Sequence, residues 1–217
     1  MLSSLKNLMF GAPLYYRLRE YRTLLTAGAR LRQWEALGRP DPPPHEVKEA
    51  AIIKYAEQYG VRTMVETGTY LGDMVQAMKR RFDKVFTIEL SPDYAARARR
   101  RFASSPNVTV LEGSSDTVLE SLVTRLHQPV LFWLDAHYSG GATARGIQDT
   151  PIVQELELIF KPGSPKHVIL IDDARLFGTD AGYPTVEALT EFVRRRAPGY
   201  SVSVADDAIR ILPNLAA

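Results

Sequence analysis

Two short stretches of this sequence carry its most reactive combination of residues. Asp135-Ala136-His137 follows the apolar run Val130-Leu131-Phe132-Trp133-Leu134, and Asp172-Asp173 follows Val168-Ile169-Leu170-Ile171. Carboxylates at the ends of neighbouring strands face one crevice, and Asp135, Asp172 and Asp173 together would make an all-oxygen site suited to Mg2+ or a similar hard cation. Side chains alternate faces along a strand, so Asp172 and Asp173 reach one ion only if the chain turns there. Ala174-Arg175 and Phe177-Gly178 permit such a turn. His137 lies two residues past Asp135 and in extended chain projects to the same side. A neutral imidazole, with an ordinary pKa near ~6.5, accepts a proton at neutral pH. A divalent cation on an alcohol oxygen would lower that alcohol's pKa and direct its attack. Asp135 and His137 are therefore candidates for making a nucleophile of a hydroxyl, with a structural histidine as the alternative.

The elements that must position these residues are legible as alternating apolar runs and amphipathic stretches. VRTMV, KVFTIEL, NVTVLEG, PVLFWLDAH and HVILIDD read as strands, separated by helices through MVQAMKRRF, DYAARARRRFASS, SDTVLESLVTRL and PIVQELELIF. This alternation predicts a doubly wound α/β fold, a parallel sheet covered on both faces. A helix around PTVEALTEFVRRR then leads to YSVSVADDAIRILPN, which reads as two antiparallel strands joined at Asp206-Asp207, for seven in all. Upstream, HEVKEAAIIKYAEQYG is an amphipathic helix ending at Gly60.

Ligands of open α/β sheets sit outside the carboxyl ends of the strands, so the other strand exits matter too. After the first strand, Glu66-Thr67-Gly68-Thr69-Tyr70-Leu71-Gly72 has glycines at 68 and 72 that allow a tight turn and close approach of a ligand to a helix N-terminus. Tyr70 stands where a dinucleotide loop would carry another glycine, which argues against a pyrophosphate lying flat there. Glu89, about 20 residues past this loop, suits hydrogen bonding to ribose hydroxyls because an ionised carboxylate only accepts; a capping or solvated glutamate is the alternative. After the third strand, Gly113-Ser114-Ser115-Asp116 opens a further helix, with Ser115 a candidate N-cap.

A parallel sheet closed by an antiparallel hairpin, with Glu66 and Gly68 in register with an E-x-G-x-G-x-G loop, resembles the class I S-adenosylmethionine-dependent methyltransferases. Asp135-x-His137 with Ile171-Asp172-Asp173 is similar, more narrowly, to metal-dependent sugar O-methyltransferases of the macrocin O-methyltransferase type, and a mycobacterial-type methylmannose polysaccharide methyltransferase is a narrower likeness still. The resemblance covers about residues 48 to 212. It implies that Glu66, Gly68, Thr69, Tyr70, Gly72, Glu89, Gly113, Ser114 and Asp135 bind S-adenosylmethionine, with the loop at Ser114 holding the adenine. It also implies that Asp135, Asp172 and Asp173 bind Mg2+ and that the residue just past the first aspartate is the general base. The expected reaction is methyl transfer to a hydroxyl of a sugar, polysaccharide or glycosylated metabolite. A catechol or phenol acceptor is the alternative, followed by a nicotinamide or nucleotide enzyme and a non-catalytic scaffold.

The segment Tyr138 to Pro151, rich in glycine and polar groups, suits a cover over the site. Its Tyr138, Arg145 and Asp149, together with Arg175, are candidates for holding acceptor oxygens. Asp149 is equally explicable as local structure before a Thr150-Pro151 helix start, and Arg145 and Arg175 as partners of nearby carboxylates. Residues 1 to 44 read as a helical appendage and a connector at Pro42-Pro43-Pro44, and residues 45 to 217 as the cofactor-binding domain.

The chain of 217 residues, 45% hydrophobic, suffices for one substantial core. With 27 basic and 25 acidic residues the net charge is +2, too balanced to argue for nucleic acid or a membrane surface. The absence of cysteine excludes disulfides and thiolate metal ligands. MLSSLKNLMF lacks the features of a secretory signal, so a cytoplasmic protein is expected. Pairing of the N-terminal helices into a homodimer is a further expectation, resting on the general frequency of twofold oligomers.

Overall fold

The computed structural model describes residues 13–135, 151–180 and 182–215. Helix α1, Pro13–Ala36, precedes a turn at Gly38 and Arg39 and the connector, in which the Asp41–Pro42 peptide is cis. Helix α2, His45–Gln58, leads into the alternating region: β1 (Thr63–Thr67), α3 (Asp73–Met78), β2 (Lys84–Glu89), α4 (Pro92–Arg101), β3 (Val108–Glu112), α5 (Ser115–Val123) and β4 (Leu131–Leu134). Then come α6 (Ile152–Ile159), β5 (Val168–Ile171), a 3-10 turn (Ala174–Leu176), α7 (Val186–Arg196), β6 (Tyr200–Ala205) and β7 (Ala208–Pro213).

The strands form one seven-stranded sheet in the order β3-β2-β1-β4-β5-β7-β6. Strands β1 to β5 pair in parallel, whereas β7 runs antiparallel to both β5 and β6. Seven mainly parallel strands with an antiparallel closing hairpin are what the sequence predicts. The turn Asp206-Asp207 has φ of 50° and 56°, the pair of left-handed residues that matches the twist of a two-residue hairpin.

Both sheet faces are buried, and strict alternation sorts the strand residues between them. Met64, Leu131, Trp133, Val168 and Leu170 pack with Ile52 and Tyr55 of α2, Val75 and Met78 of α3 and Ala98 of α4. Val65, Phe132, Leu134, Ile169 and Ile171 face Leu119 of α5, Leu156 of α6 and Leu189 of α7. This is why the central runs are apolar without interruption rather than alternating. It also fixes the side on which residues just past the strands emerge. Continuing the alternation, Asp135 and Asp172 fall on the face of Trp133 and Leu170, the face covered by α2.

Helix α1 lies against the first βα unit. Arg19 donates to Asp73 Oδ2 from Nε at 3.0 Å and from Nη2 at 2.5 Å, and Gln76 donates to Glu20 at 2.9 Å. Arg101 completes the joint: its Nη1 donates to Asp73 Oδ1 at 2.9 Å and to the Leu71 carbonyl, and its guanidinium lies 4.6 Å from the Tyr16 ring centroid. Burial opposes the charge of Asp73, but the two arginines outweigh it and hold the carboxyl below its ordinary value. No helix among the described residues is long and apolar enough to cross a membrane.

Candidate functional site

The carboxyl ends of β1, β2 and β3 form a continuous cradle. Gly68 (φ 85°) and Tyr70 (φ 47°) turn the chain out of β1 in left-handed conformations, and the Gly68 amide donates to the Ile88 carbonyl at 3.0 Å. The backbone geometry that glycine serves in such loops is therefore present at Tyr70, imposed on a residue that adopts it at a cost of about 1–3 kcal/mol. Its compensation is visible: the Tyr70 amide donates to Glu89 Oε2 at 2.7 Å, and its ring meets Tyr94 at 5.0 Å. Gly72 (φ 77°) caps α3, and a Cβ built there would stand 2.8 Å from Phe102 Cε2, so this position is closed to side chains.

Glu89 joins the two loops. Its Oε1 accepts the Ser91 amide at 2.8 Å, and its own carbonyl accepts the Gly113 amide at 2.9 Å. Burial raises its pKa while the backbone donors from Ser91, Tyr70 and Leu90 pull it down. Glu66 is only 2% exposed beneath the loop, accepts the Thr87 hydroxyl, and is pushed well above the usual carboxylate range by burial. It thus braces the loop from below. The Thr69 and Thr87 hydroxyls bond each other at 2.5 Å, so Thr69 too is turned inward. At the third exit Ser114, rather than Ser115, is the N-cap residue of α5; Ser115 is buried.

At the reactive exits the chain turns where the sequence required it to. Asp173 has φ 55°, and the 3-10 turn follows at once. The ladder continues up to this point, since the Asp135 amide donates to the Thr67 carbonyl at 3.1 Å and the Asp172 amide to the Leu134 carbonyl at 3.0 Å. The turn, however, delivers the carboxylates to cationic side chains. Lys48 of α2 donates from Nζ to Asp172 Oδ2 at 2.6 Å and lies 3.5 Å from Asp173 Oδ1. Arg175 donates to the same Asp173 oxygen at 2.8 Å and to Asp207 Oδ2, while its amide donates to Asp207 Oδ1 at 2.9 Å. The closing hairpin thereby pins the turn after β5. Asp172 Oδ1 accepts the amide of Asp173 at 2.8 Å.

The expected Mg2+ cluster is therefore not assembled: among the described residues no group of three or more acidic or imidazole side chains is arranged to hold a metal ion. The physical reason is that an ammonium and a guanidinium occupy Asp172 Oδ2 and Asp173 Oδ1, the oxygens nearest α2 and the closing hairpin. Burial and the nearby Asp135 raise the pKa of Asp172 toward neutrality against the pull of Lys48. For Lys48 burial disfavours the charge, yet Asp172, Asp173 and Asp135 outweigh it and hold the ammonium above its ordinary value.

Two contributors escaped the sequence reading. Lys48 is one; Glu155 of α6 is the other, 1% exposed near Ser115 and Thr67, with Oε1 buried and making no hydrogen bond. Burial raises its pKa to about 7. Arg175 also borders a cleft of about 390 Å3 lined by Trp34, Arg39, Asp41 and Asp206 among others, so the connector after α1 adjoins the reactive end. His137, Tyr138, Arg145 and Asp149 lie outside the described residues.

Solved structures share this fold. An O-methyltransferase from Bacillus cereus, in complex with SAH, superposes with a TM-score of 0.57 at 18% identity, covering 86% of this chain and 90% of that one. The fold is that of the class I methyltransferases. TomG, an O-methyltransferase from Streptomyces achromogenes involved in tomaymycin synthesis and solved with SAM, aligns with a TM-score of 0.54 at 18% identity over 91% of this chain and 96% of its own. In sequence, ribosomal RNA small subunit methyltransferase A of Acidobacterium capsulatum is 36% identical over 86 residues, 38% of this chain and 29% of that protein's length. No protein-family profile matches the sequence.

Proposed function

We propose that this protein binds S-adenosylmethionine in the β1–β3 cradle and transfers its methyl group to a hydroxyl oxygen of a saccharide or glycosylated metabolite. The observation that carries the reading is Glu89. Held rigid by two backbone amides, it presents a carboxylate at the exit of β2, beside the Gly68–Gly72 loop, where ribose hydroxyls can donate to it. The Bacillus and Streptomyces O-methyltransferases with the same fold, solved with SAH and SAM, support the cofactor.

In this proposal Gly68, Thr69, Tyr70 and Gly72 form the turn around the amino-acid end of the cofactor, with Glu66 as its brace. Gly113 and Ser114 border the adenine, and Asp135 faces the sulfonium end. Transfer is in line: the carbon–sulfur bond breaks as the carbon–oxygen bond forms, leaving S-adenosylhomocysteine and a methyl ether. The hydroxyl proton passes to His137. Tyr138, Arg145 and Asp149 are proposed to meet the acceptor, with Arg175 at the margin through its cleft. Mg2+ has no step here, because both oxygens of Asp172 and Oδ1 of Asp173 are already engaged by Lys48, Arg175 and a backbone amide. The test is a screen of mono- and oligosaccharides against catechols and phenols with a methyl-labelled donor. Label in a sugar methyl ether is the expected result; label confined to catechols or phenols would overturn the acceptor class.

A further inference from the structure

We propose that Lys48 is the resident cation of the strand-exit carboxylates, taking the place that a divalent ion would otherwise fill. Three observations converge on it. Lys48 belongs to a different element from all the acids it serves: α2 lies across β4 and β5, and its side chain, 15% exposed, reaches the β5 exit to bond Asp172 at 2.6 Å and approach Asp173 at 3.5 Å. The acids are poor ligands as they stand. Asp172 uses Oδ2 for Lys48 and Oδ1 for the Asp173 amide, and Asp173 Oδ1 is shared between Lys48 and Arg175. Finally, the left-handed turn at Asp173 swings its carboxylate into reach of Arg175, which the buried Asp207 holds from the hairpin.

A divalent ion of the Mg2+ type needs oxygens at about 2.0–2.1 Å in near-octahedral geometry. To bind Asp172 Oδ2 it would have to displace an ammonium already within hydrogen-bonding distance, and at Oδ1 it would compete with the Asp173 amide. Removing the ammonium alone reverses the situation, since it frees Asp172 Oδ2 beside Asp135 and leaves Asp173 to Arg175. Lys48 is thus a positioning residue that holds these carboxylates in place and that keeps divalent ions out. This holds whether or not the cradle binds a methyl donor.

The experiment is a calorimetric titration of Mn2+ into the wild type, Lys48→Met and Lys48→Arg at pH 7.5, with circular dichroism to confirm folding. The wild type and Lys48→Arg are expected to show no stoichiometric site tighter than millimolar. Lys48→Met is expected to bind one Mn2+ at least tenfold more tightly, a gain abolished by adding Asp172→Asn. A wild type that binds one Mn2+ at micromolar concentration would overturn the proposal. So would a folded Lys48→Met that gains no affinity. Because no methyl donor or acceptor is present, the result is independent of the reaction proposed above.

Discussion

Replacing Glu155 with glutamine gives a perturbation whose size follows from the structure. The carboxyl lies 1% exposed beneath the β1 and β3 exits, and burial lifts its pKa from 4.5 to about 7 in the folded chain. The folded state therefore holds a proton that the unfolded state releases, so this group lowers stability as pH rises from about 4.5 to about 7. At about 1.4 kcal/mol per pH unit, the whole gap is worth about 3 kcal/mol, most of which falls between pH 5 and pH 8.5. Glutamine keeps the shape and acceptor oxygen without the charge. Glu155→Gln should thus resemble the wild type near pH 5 and exceed it by about 2–3 kcal/mol at pH 8.5. For a chain of this size that is a Tm advantage of about 5–10 °C. Calorimetric scans and urea unfolding at both pH values measure it. An offset between the two proteins that stays constant from pH 5 to pH 8.5 would refute the reasoning, because it would mean that Glu155 is ionised in the folded state throughout.

Gly72→Ala places a Cβ 2.8 Å from the Phe102 ring at φ 77°, and should lower stability by about 2 kcal/mol and Tm by about 4–8 °C in a thermal melt. Glu89→Gln removes one carboxylate acceptor from a cradle in which both oxygens are used. It should weaken S-adenosylhomocysteine binding by about 10- to 100-fold in a calorimetric titration; unchanged affinity would remove Glu89 from the cofactor site. Asp73→Asn releases Arg19 and Arg101 together, and amide exchange in α1 should speed up by on the order of tenfold relative to the sheet, whereas equal rates would show that α1 is held by other contacts.

The layered fold was readable because strands with two buried faces must be apolar throughout and the helices between them amphipathic. Val168 to Ile171 shows this directly: each residue serves one of the two cores in turn. The hairpin was readable from Asp206-Asp207, since both residues tolerate the left-handed region. At the site, sequence located the strand exits and stated the condition for Asp172 and Asp173 to meet, namely a turn, which is present at Asp173. What the turn would face was not visible from the exits. Lys48 sits on the buried stripe of α2 with Ile52, Tyr55 and Ala56, and Glu155 on that of α6 with Ile152, Leu156 and Ile159. Helical spacing could have marked both as ionisable groups on core-facing stripes. Tyr70 carries a related lesson: the loop's backbone demand persists without glycine when Glu89 and Tyr94 stabilise the left-handed residue.

The claim that the β1–β3 cradle takes a methyl donor is tested most directly by titrating S-adenosylhomocysteine and NAD separately into the full-length protein by calorimetry. The account predicts stoichiometric binding of S-adenosylhomocysteine at micromolar concentration and no uptake of NAD. Micromolar binding of NAD with none of S-adenosylhomocysteine would contradict it.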